Sequence, residues 1–183
     1  MLIGEDSIML RFGTSLFVSI LCFAGTSAMA QGAEQPTDPQ IAHIAYTAGQ
    51  IDIKAAKQAL SKTHNKDVKA FAKEMVRDHE AVNKQALALL HKLKVKPENN
   101  GTSKSLTDAA SKKWKELSKL SGAAFDKAYA ENEVAYHQTV NGALEKTLIP
   151  SAQNAELKSL LETGLKLFTE HEQHAENLVS ELK

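Results

Sequence analysis

The sequence predicts an all-α protein in the form of a four-helix bundle. Apolar residues recur at steps of three and four along four long segments, which is the pattern of helices that bury one face. Each segment has about 25 residues, so each helix would span roughly 37 Å, a length suited to a bundle. The alternation typical of a strand is not found over any length, and no repeat or low-complexity tract occurs.

Residues 1–30 are predicted to be a secretory signal peptide. Arg11 precedes a short apolar run, Leu16–Ala24, and Ala28-Met29-Ala30 follows as a cleavage pattern with small residues at its two ends. The run is too short for a comfortable membrane span, and an N-terminal membrane anchor is the alternative interpretation. Met9, which comes after an acidic lead-in, is an alternative start.

Composition indicates an oxidising compartment and excludes nucleic acid as the main partner. Cleavage after Ala30 removes Cys22, the only cysteine of the 183-residue chain, so the mature protein would have no disulfide. The chain has 22 basic and 22 acidic residues, so it has no excess of positive charge with which to bind nucleic acid. We therefore predict a periplasmic or secreted protein with no stable membrane span after cleavage. Its partner would be a second copy of the chain or another envelope protein.

The mature chain begins with a polar tether, residues 31–37, and continues as one bundle domain, residues 38–183. Asp38 is predicted to cap helix A, because its carboxylate can accept from free amide groups and the following proline is tolerated at a helix start. Helix A should end near Ser61–His64. Its inward face is predicted to carry Ile41, Ile44, Ala45, Ala48, Asp52, Ala55 and Ala59.

A long connection separates the second and third bundle helices. Asn65 is predicted to cap helix B, which runs to about Val95 and stops at the sequence KPENNG. A shorter helix is predicted to start at Thr107-Asp108 and to break at Ser121-Gly122. The crossover therefore contains a small helix of its own.

The second half of the chain supplies helices C and D. Helix C is predicted from about Ala124 to Leu148, and Ile149-Pro150-Ser151 should break it because proline disfavours helix in the preceding residue. Asn154 is a plausible cap for helix D, which continues to the end. The short A–B and C–D links predict antiparallel pairs. A single long crossover is the ferritin-like arrangement of a four-helix bundle.

Three histidines stand in apolar stripes where leucine would be expected. They are His79 on helix B, His137 on helix C and His171 on helix D. Two carboxylates share these inward faces: Asp52 on helix A, and Glu133, four residues before His137. Counting residues from the turns puts Asp52, His79, Glu133 and His171 at similar heights, with His137 a turn away. Imidazoles and carboxylates that converge in a bundle core can bind a divalent transition metal.

Each of these residues also has a simpler interpretation. An inward histidine is often a hydrogen-bonded core residue without a ligand role. The acidic neighbours are predicted to be solvated, and His174 to occupy a boundary position. No role is assigned to the remaining histidines. The acidic neighbours are Asp78, Glu80, Glu170 and Glu172, and the remaining histidines are His43, His64 and His91.

Four motifs resemble a known family. The stretches GQIDI, VKAFAKEMVRDH, FDKAYAENEVAYH and LKLFTEHEQHAENL are similar to the secreted bacterial domain-of-unknown-function family 4142, which is grouped with ferritin-like folds. The resemblance extends from about Pro39 to Leu182. It matches Gly49, Asp52 and Ile53 to a Gly-x-x-Glu-Val element, and Phe125, Asp126 and Tyr129 to a Phe-Asp-x-x-Tyr element. It also matches the family's inward histidines to His79, His137 and His171.

The chain departs from ferritins and related di-iron proteins, which use Glu-x-x-His on two helices. The positions three residues before the inward histidines hold Val76, Val134 and Phe168, none of them a carboxylate. A di-iron oxidase centre is therefore not predicted. A His-rich site would hold one metal ion, such as zinc, copper or iron, or none.

Two functions remain open. The first is an exported bundle that binds a divalent metal through Asp52, His79, Glu133, His137 and His171, in stress response or metal handling. The alternative is a non-catalytic envelope scaffold that binds no metal. An enzyme is the least supported class, because the sequence offers no nucleophile–base pair and no phosphate-binding glycine loop.

Overall fold

The computed structural model describes residues 35–182, which are helical throughout apart from their connections. The predicted all-α bundle is confirmed. The predicted signal peptide and most of the predicted tether lie outside the described residues. The elements in order are α1 (Asp38–Lys62), α2 (Lys66–Lys92), α3 (Gly101–Ser118), α4 (Gly122–Ala143), a π-helical turn (Leu144–Leu148), α5 (Ile149–Ser151) and α6 (Ala155–Glu181).

The four long helices α1, α2, α4 and α6 are the predicted helices A to D. The main contacts pair α1 with α2 and α4 with α6, and α2 also packs against α6. The extra helix α3 lies against α1. Within residues 35–182, none of the helices is both long enough and apolar enough to cross a membrane.

The core divides into two apolar clusters along the bundle. The first cluster includes Ala55, Phe71, Met75, Tyr129 and Ala175. The second cluster includes Ile41, Leu90, Leu144, Leu161 and Phe168. Each of the four long helices contributes to both clusters. Between its two contributions lies a short buried segment that carries a polar side chain. The polar layer between the clusters holds the candidate site.

The crossover helix α3 begins at Gly101, six residues before the predicted start at Thr107. Asn100 provides the earlier start, since its side-chain oxygen accepts a hydrogen bond from the Ser103 amide at 3.0 Å. The Ser103 hydroxyl in turn accepts from the Asn100 amide at 3.2 Å. This reciprocal pair satisfies two amide groups that the first helical turn would otherwise leave unpaired.

The break predicted at Ile149-Pro150-Ser151 falls later in the structure, because the helical backbone continues through Pro150 and ends at Ser151. The turn before the proline widens into a π-helical turn in which the Ile149 amide donates to the Leu144 carbonyl. A wider turn relaxes the clash between a proline ring and the preceding carbonyl groups. The chain leaves the helix at Ala152, whose backbone is extended.

Three of the predicted helix caps can be compared with the structure. Asn65 accepts from two amides at the start of α2, and Asn154 accepts from the Leu157 amide at the start of α6, so both caps are confirmed. Asp38 does not cap its own helix. Its carboxylate accepts from the amides of Gln153 and Asn154 at 2.9 and 2.8 Å, which ties the start of α1 to the link before α6.

Candidate metal centre

The structure brings all five predicted residues together in the polar layer. Each is 2 % exposed or less, and each of the four long helices contributes at least one of them. They are Asp52 from α1, His79 from α2, Glu133 and His137 from α4, and His171 from α6.

The three imidazoles form a triangle in the core. Their ring centroids are 5.8 Å apart for His79 and His137, 5.4 Å for His79 and His171, and 5.5 Å for His137 and His171. One nitrogen from each ring lies within 4.8 Å of the others. Phe168 stacks on the His79 ring at 4.5 Å and supports one side of the triangle.

Asp52 lies between two of the histidines. Its Oδ2 atom is 3.3 Å from His79 Nε2 and 3.5 Å from His137 Nε2. Two ligands held at about 2.0–2.1 Å by a tetrahedral metal ion stand about 3.4 Å apart. The spacing of these nitrogen and oxygen atoms therefore matches that of neighbouring ligands.

The hydrogen bonding of His137 fixes which of its nitrogens carries the proton. Its Nδ1 atom lies 3.0 Å from the Glu133 carbonyl oxygen, which can only accept, so Nδ1 is the donor. Since burial keeps the ring neutral, Nε2 then carries a lone pair, and that lone pair faces the Asp52 carboxylate. The Nε2 atom and the Asp52 oxygen, 3.5 Å apart, are both potential ligand atoms.

Most polar atoms of the centre have no hydrogen-bond partner among residues 35–182. The short His79–Asp52 approach does not have hydrogen-bond geometry, so it satisfies neither group. A buried polar group without a partner costs about 1–3 kcal/mol, and native proteins hold few of them. The unpartnered atoms of the centre are both Asp52 oxygens, both His79 nitrogens, Glu133 Oε2, His137 Nε2 and His171 Nδ1.

Burial shifts the ionisation of the centre toward neutral side chains. It lowers the pKa of His79 to about 4, and it also lowers the pKa of His137 and of His171. Burial raises the pKa of Asp52, and it raises the pKa of Glu133 well above its ordinary value, with a further increase from the nearby Asp52 charge. At neutral pH the imidazoles are therefore unprotonated, which is the form that binds metal ions.

The family described as "Domain of unknown function (DUF4142)" matches residues 24–178. The chain belongs to this family. No protein of curated function matches the DUF4142 chain.

Two solved structures resemble the bundle of this DUF4142 protein. One is described as a secreted DUF305 protein from Streptomyces coelicolor, with a TM-score of 0.68, 11% identity, and coverage of 79% of this chain and 93% of that one. The other is described as CopM in the Cu(II)-bound form, with a TM-score of 0.62, 14% identity, and coverage of 81% and 99%. At these identities the likeness shows the helical-bundle fold and nothing further.

His137 lies closer to the other ligand candidates of the DUF4142 protein than its sequence position predicted. It was expected a turn away, yet its ring contacts both Asp52 and the other imidazoles. Helical side chains lean toward the N-terminus of their helix, over the preceding turn. The bond from His137 Nδ1 back to the Glu133 carbonyl shows this lean directly.

Two acidic neighbours are not solvated as predicted. Asp78 places Oδ2 3.1 Å from His171 Nε2, and Glu172 accepts from the buried amide of Asn141 at 2.8 Å. Glu80 and Glu170 are exposed, as predicted, and His174 is a half-exposed boundary residue.

Two buried asparagines beside the centre were not predicted from the sequence. Asn83 lies one turn after His79, and Asn141 lies one turn after His137. Within the described part of the chain, Asn83 Nδ2 and Asn141 Oδ1 have no partner. The same spacing of four residues from a histidine on two helices is a signal that could have identified them.

Proposed function

We propose that this DUF4142 protein is an exported helical bundle that binds one divalent transition metal ion at the buried centre. The ligand candidates are the imidazoles of His79, His137 and His171 together with the Asp52 carboxylate, and Glu133 positions His137. The observation that carries this proposal is the lone pair of His137 Nε2 at 3.5 Å from Asp52 Oδ2 in the buried core, with no hydrogen-bond donor from residues 35–182 to that nitrogen. A cation between the two groups would be coordinated by both, and its charge would favour the ionised form of Asp52.

The chemistry of the donors narrows the choice of metal. Imidazole suits zinc, copper and iron, whereas magnesium and calcium prefer a shell of oxygen ligands. Affinity for a given nitrogen and oxygen site rises from Fe²⁺ to Cu²⁺ and falls again at Zn²⁺. We therefore expect Cu²⁺ to bind most tightly. The Cu(II) form described for the CopM bundle supports testing copper first.

Export is proposed from two lines of support. The N-terminal sequence has the order of a secretory signal, with Arg11, the apolar run Leu16–Ala24 and small residues after it. The similar DUF305 bundle is described as secreted. A role in binding or handling metal is favoured over catalysis, because the ligand candidates are sealed from solvent on all four helices.

Thermal melting tests the proposal directly. The wild type, His79→Leu, His171→Leu and the double variant would be melted in chelator and with added Cu²⁺, Zn²⁺ or Fe²⁺. A metal at about one hundred times its Kd stabilises the native state by about 2.7 kcal/mol, or roughly 5–10 °C in Tm for a chain of this size. The wild type should show this increase, and each single variant should lose most of it. His91→Leu, at the exposed end of α2, is the matched control and should keep the wild-type response.

The same melts separate ligands from core residues. If the histidines act as one site, the double variant loses little more of the metal response than either single variant. A wild-type Tm that none of the three metals changes would contradict the proposal. The non-catalytic envelope scaffold would then be the better function.

A further inference from the structure

A second group of metal-binding side chains lies outside the buried centre, where α2 packs on α6. Glu74 and Asp78 are four residues apart on α2, and His171 and His174 are three apart on α6. His174 Nδ1 is 2.7 Å from Glu74 Oε2, and His171 Nε2 is 3.1 Å from Asp78 Oδ2. We call these four residues the outer cluster.

The outer cluster leads from solvent into the core. The side chains are 46 % exposed at His174, 31 % at Glu74, 14 % at Asp78 and 2 % at His171. The buried centre itself offers no exposed ligand among the residues that the structure describes. A hydrated ion that reaches the centre must exchange its waters for protein ligands on the way. The outer cluster provides two carboxylates and two imidazoles for that exchange.

His171 belongs to both groups of ligands. One of its nitrogens lies within 4.8 Å of ligand atoms of Glu74 and Asp78, and one lies within the same distance of the His79 and His137 nitrogens. Its Nδ1 atom is buried and has no hydrogen-bond partner in the described part of the chain. The imidazole therefore stands between the outer cluster and the centre, with a nitrogen available to a metal ion.

The outer carboxylates already have a cationic neighbour, Arg77. The Arg77 guanidinium donates to Asp78 at 2.6 and 2.8 Å and lies 3.8 Å from Glu74. The Arg77 side chain is 70 % exposed, so it can swing into solvent without leaving a cavity. The Arg77–Asp78 pair, which has two contacts, is therefore the interaction that an incoming divalent ion has to displace, and the ion brings twice the positive charge to the same carboxylate.

We propose that Glu74, Asp78, His171 and His174 form a second metal site, half-exposed, through which the buried centre is loaded. The site takes a divalent transition ion while Arg77 moves aside, and the ion passes inward along the His171 imidazole. This inference rests on the proposed function, since a loading site needs a centre to load. It differs from the simpler view that the four residues are only surface ion pairs.

Loading kinetics with Cu²⁺ alone, and in a parallel series Zn²⁺ alone, would test the inference. The full mature chain would be mixed with the metal, and a strong chelator added after increasing delays would separate labile from protected metal. The wild type should bind two equivalents, one labile and one that becomes protected. Glu74→Gln/Asp78→Asn/His174→Gln should lose the labile equivalent and acquire the protected one at least tenfold more slowly. Glu80→Gln/His91→Gln, a matched change of exposed residues on α2, should load like the wild type.

Further variants make the outcomes distinguishable. His79→Leu/His137→Leu should retain only the labile equivalent, and Arg77→Ala should accelerate loading because the competing cation is gone. His174→Gln alone gives a milder version of the outer change that leaves the packing of α2 on α6 intact. Wild-type loading rates in both outer variants would overturn this inference while leaving the proposed function standing. A wild type that never acquires protected metal would overturn the proposed function, and the loading role with it.

Discussion

His79 shows what a buried imidazole imposes on a helical core. It occupies a position where the stripe of α2 predicts an apolar residue, and its ring stacks on Phe168. Neither nitrogen has a partner within residues 35–182, so the ring contributes packing but no hydrogen bond. A leucine would fill similar space without a polar atom to desolvate. In the absence of metal, His79 therefore stabilises the bundle less than an apolar residue would.

Acidic pH should increase this difference in stability between the histidine and the leucine forms of the protein. The unfolded chain protonates His79 near pH 6.5, but burial lowers the pKa of the folded-state ring to about 4. The unfolded state therefore binds more protons than the native state between these values, and the free energy of unfolding falls as the pH drops through that window. With chelator present, the free energy of unfolding of His79→Leu, relative to that of the wild type, should rise by about 3 kcal/mol as the pH falls from 7 to 4. Denaturant unfolding at several pH values measures this.

The control for the acid experiment is His91→Leu, whose side chain is exposed. Its stability should follow the wild-type curve over the same range of pH. If His79→Leu also runs parallel to the wild type, the ring is protonated in the folded state near its ordinary pKa, and the centre is not neutral.

Periodicity predicted which side chains face inward but not how their atoms meet. The stripes of four helices placed Asp52, His79, Glu133, His137 and His171 on buried faces, and the structure brings them together. Asp78 was assigned to solvent because it lies one residue outside its stripe. Its contact with His171 depends on how α6 packs against α2, and that packing is not encoded in either helix alone.

Among the elements of the bundle, the connection from α4 to α6 was the hardest to predict. The rule that proline disfavours helix before it is statistical, and here a π-helical turn lets the backbone continue to Ser151. The two caps Asn65 and Asn154 were predictable because an asparagine side chain bonds to amides two or three residues ahead. These two caps follow from local chemistry, whereas Asp38, which accepts from Gln153 and Asn154 instead of its own helix, depends on the tertiary fold.

α1 and α2 approach each other closely at Gly49, three residues before Asp52. A Cβ atom on Gly49 would lie 2.5 Å from Asn83 Oδ1, and Asn83 is buried. The close approach explains a glycine inside a helix, where it is otherwise destabilising by about 1 kcal/mol relative to alanine.

Alanine substitutions at two helical glycines should therefore have opposite effects. Gly49→Ala must push Asn83 aside in a packed interior, and we expect it to destabilise the protein by about 1–3 kcal/mol despite its better helix propensity. Gly142→Ala in α4 meets no atom within 4 Å and should stabilise by up to about 1 kcal/mol. Chemical denaturation of both variants gives the comparison. Equal stabilisation by the two substitutions would show that α1 and α2 can separate freely at this point.

In the whole molecule, a polar layer divides two apolar clusters that would otherwise form one core. The clusters supply the hydrophobic stabilisation, and the crossover helix α3 is fastened to α1 by polar contacts as well. Lys54 lies over the Trp114 ring at 3.7 Å, and Gln58 donates to the Trp114 carbonyl at 3.1 Å. The sequence predicted that a helix would occupy the crossover. Which helix it would pack against depends on these long-range contacts, which no local pattern specifies.

The last prediction concerns the export of the protein, which depends on the segment before the bundle. A signal peptidase accepts small side chains at the cleavage site, and Ala28 and Ala30 provide them after the apolar run Leu16–Ala24. We expect mass spectrometry of the protein recovered from a bacterial envelope to find a chain beginning at or near Gln31. Ala30→Lys should block cleavage and leave the chain attached to membranes, while Ala33→Lys, beyond the site, should be processed normally. Recovery of wild-type chains that still contain Leu16–Ala24 would support the membrane anchor instead, and the candidate metal centre would then lie on a tethered protein.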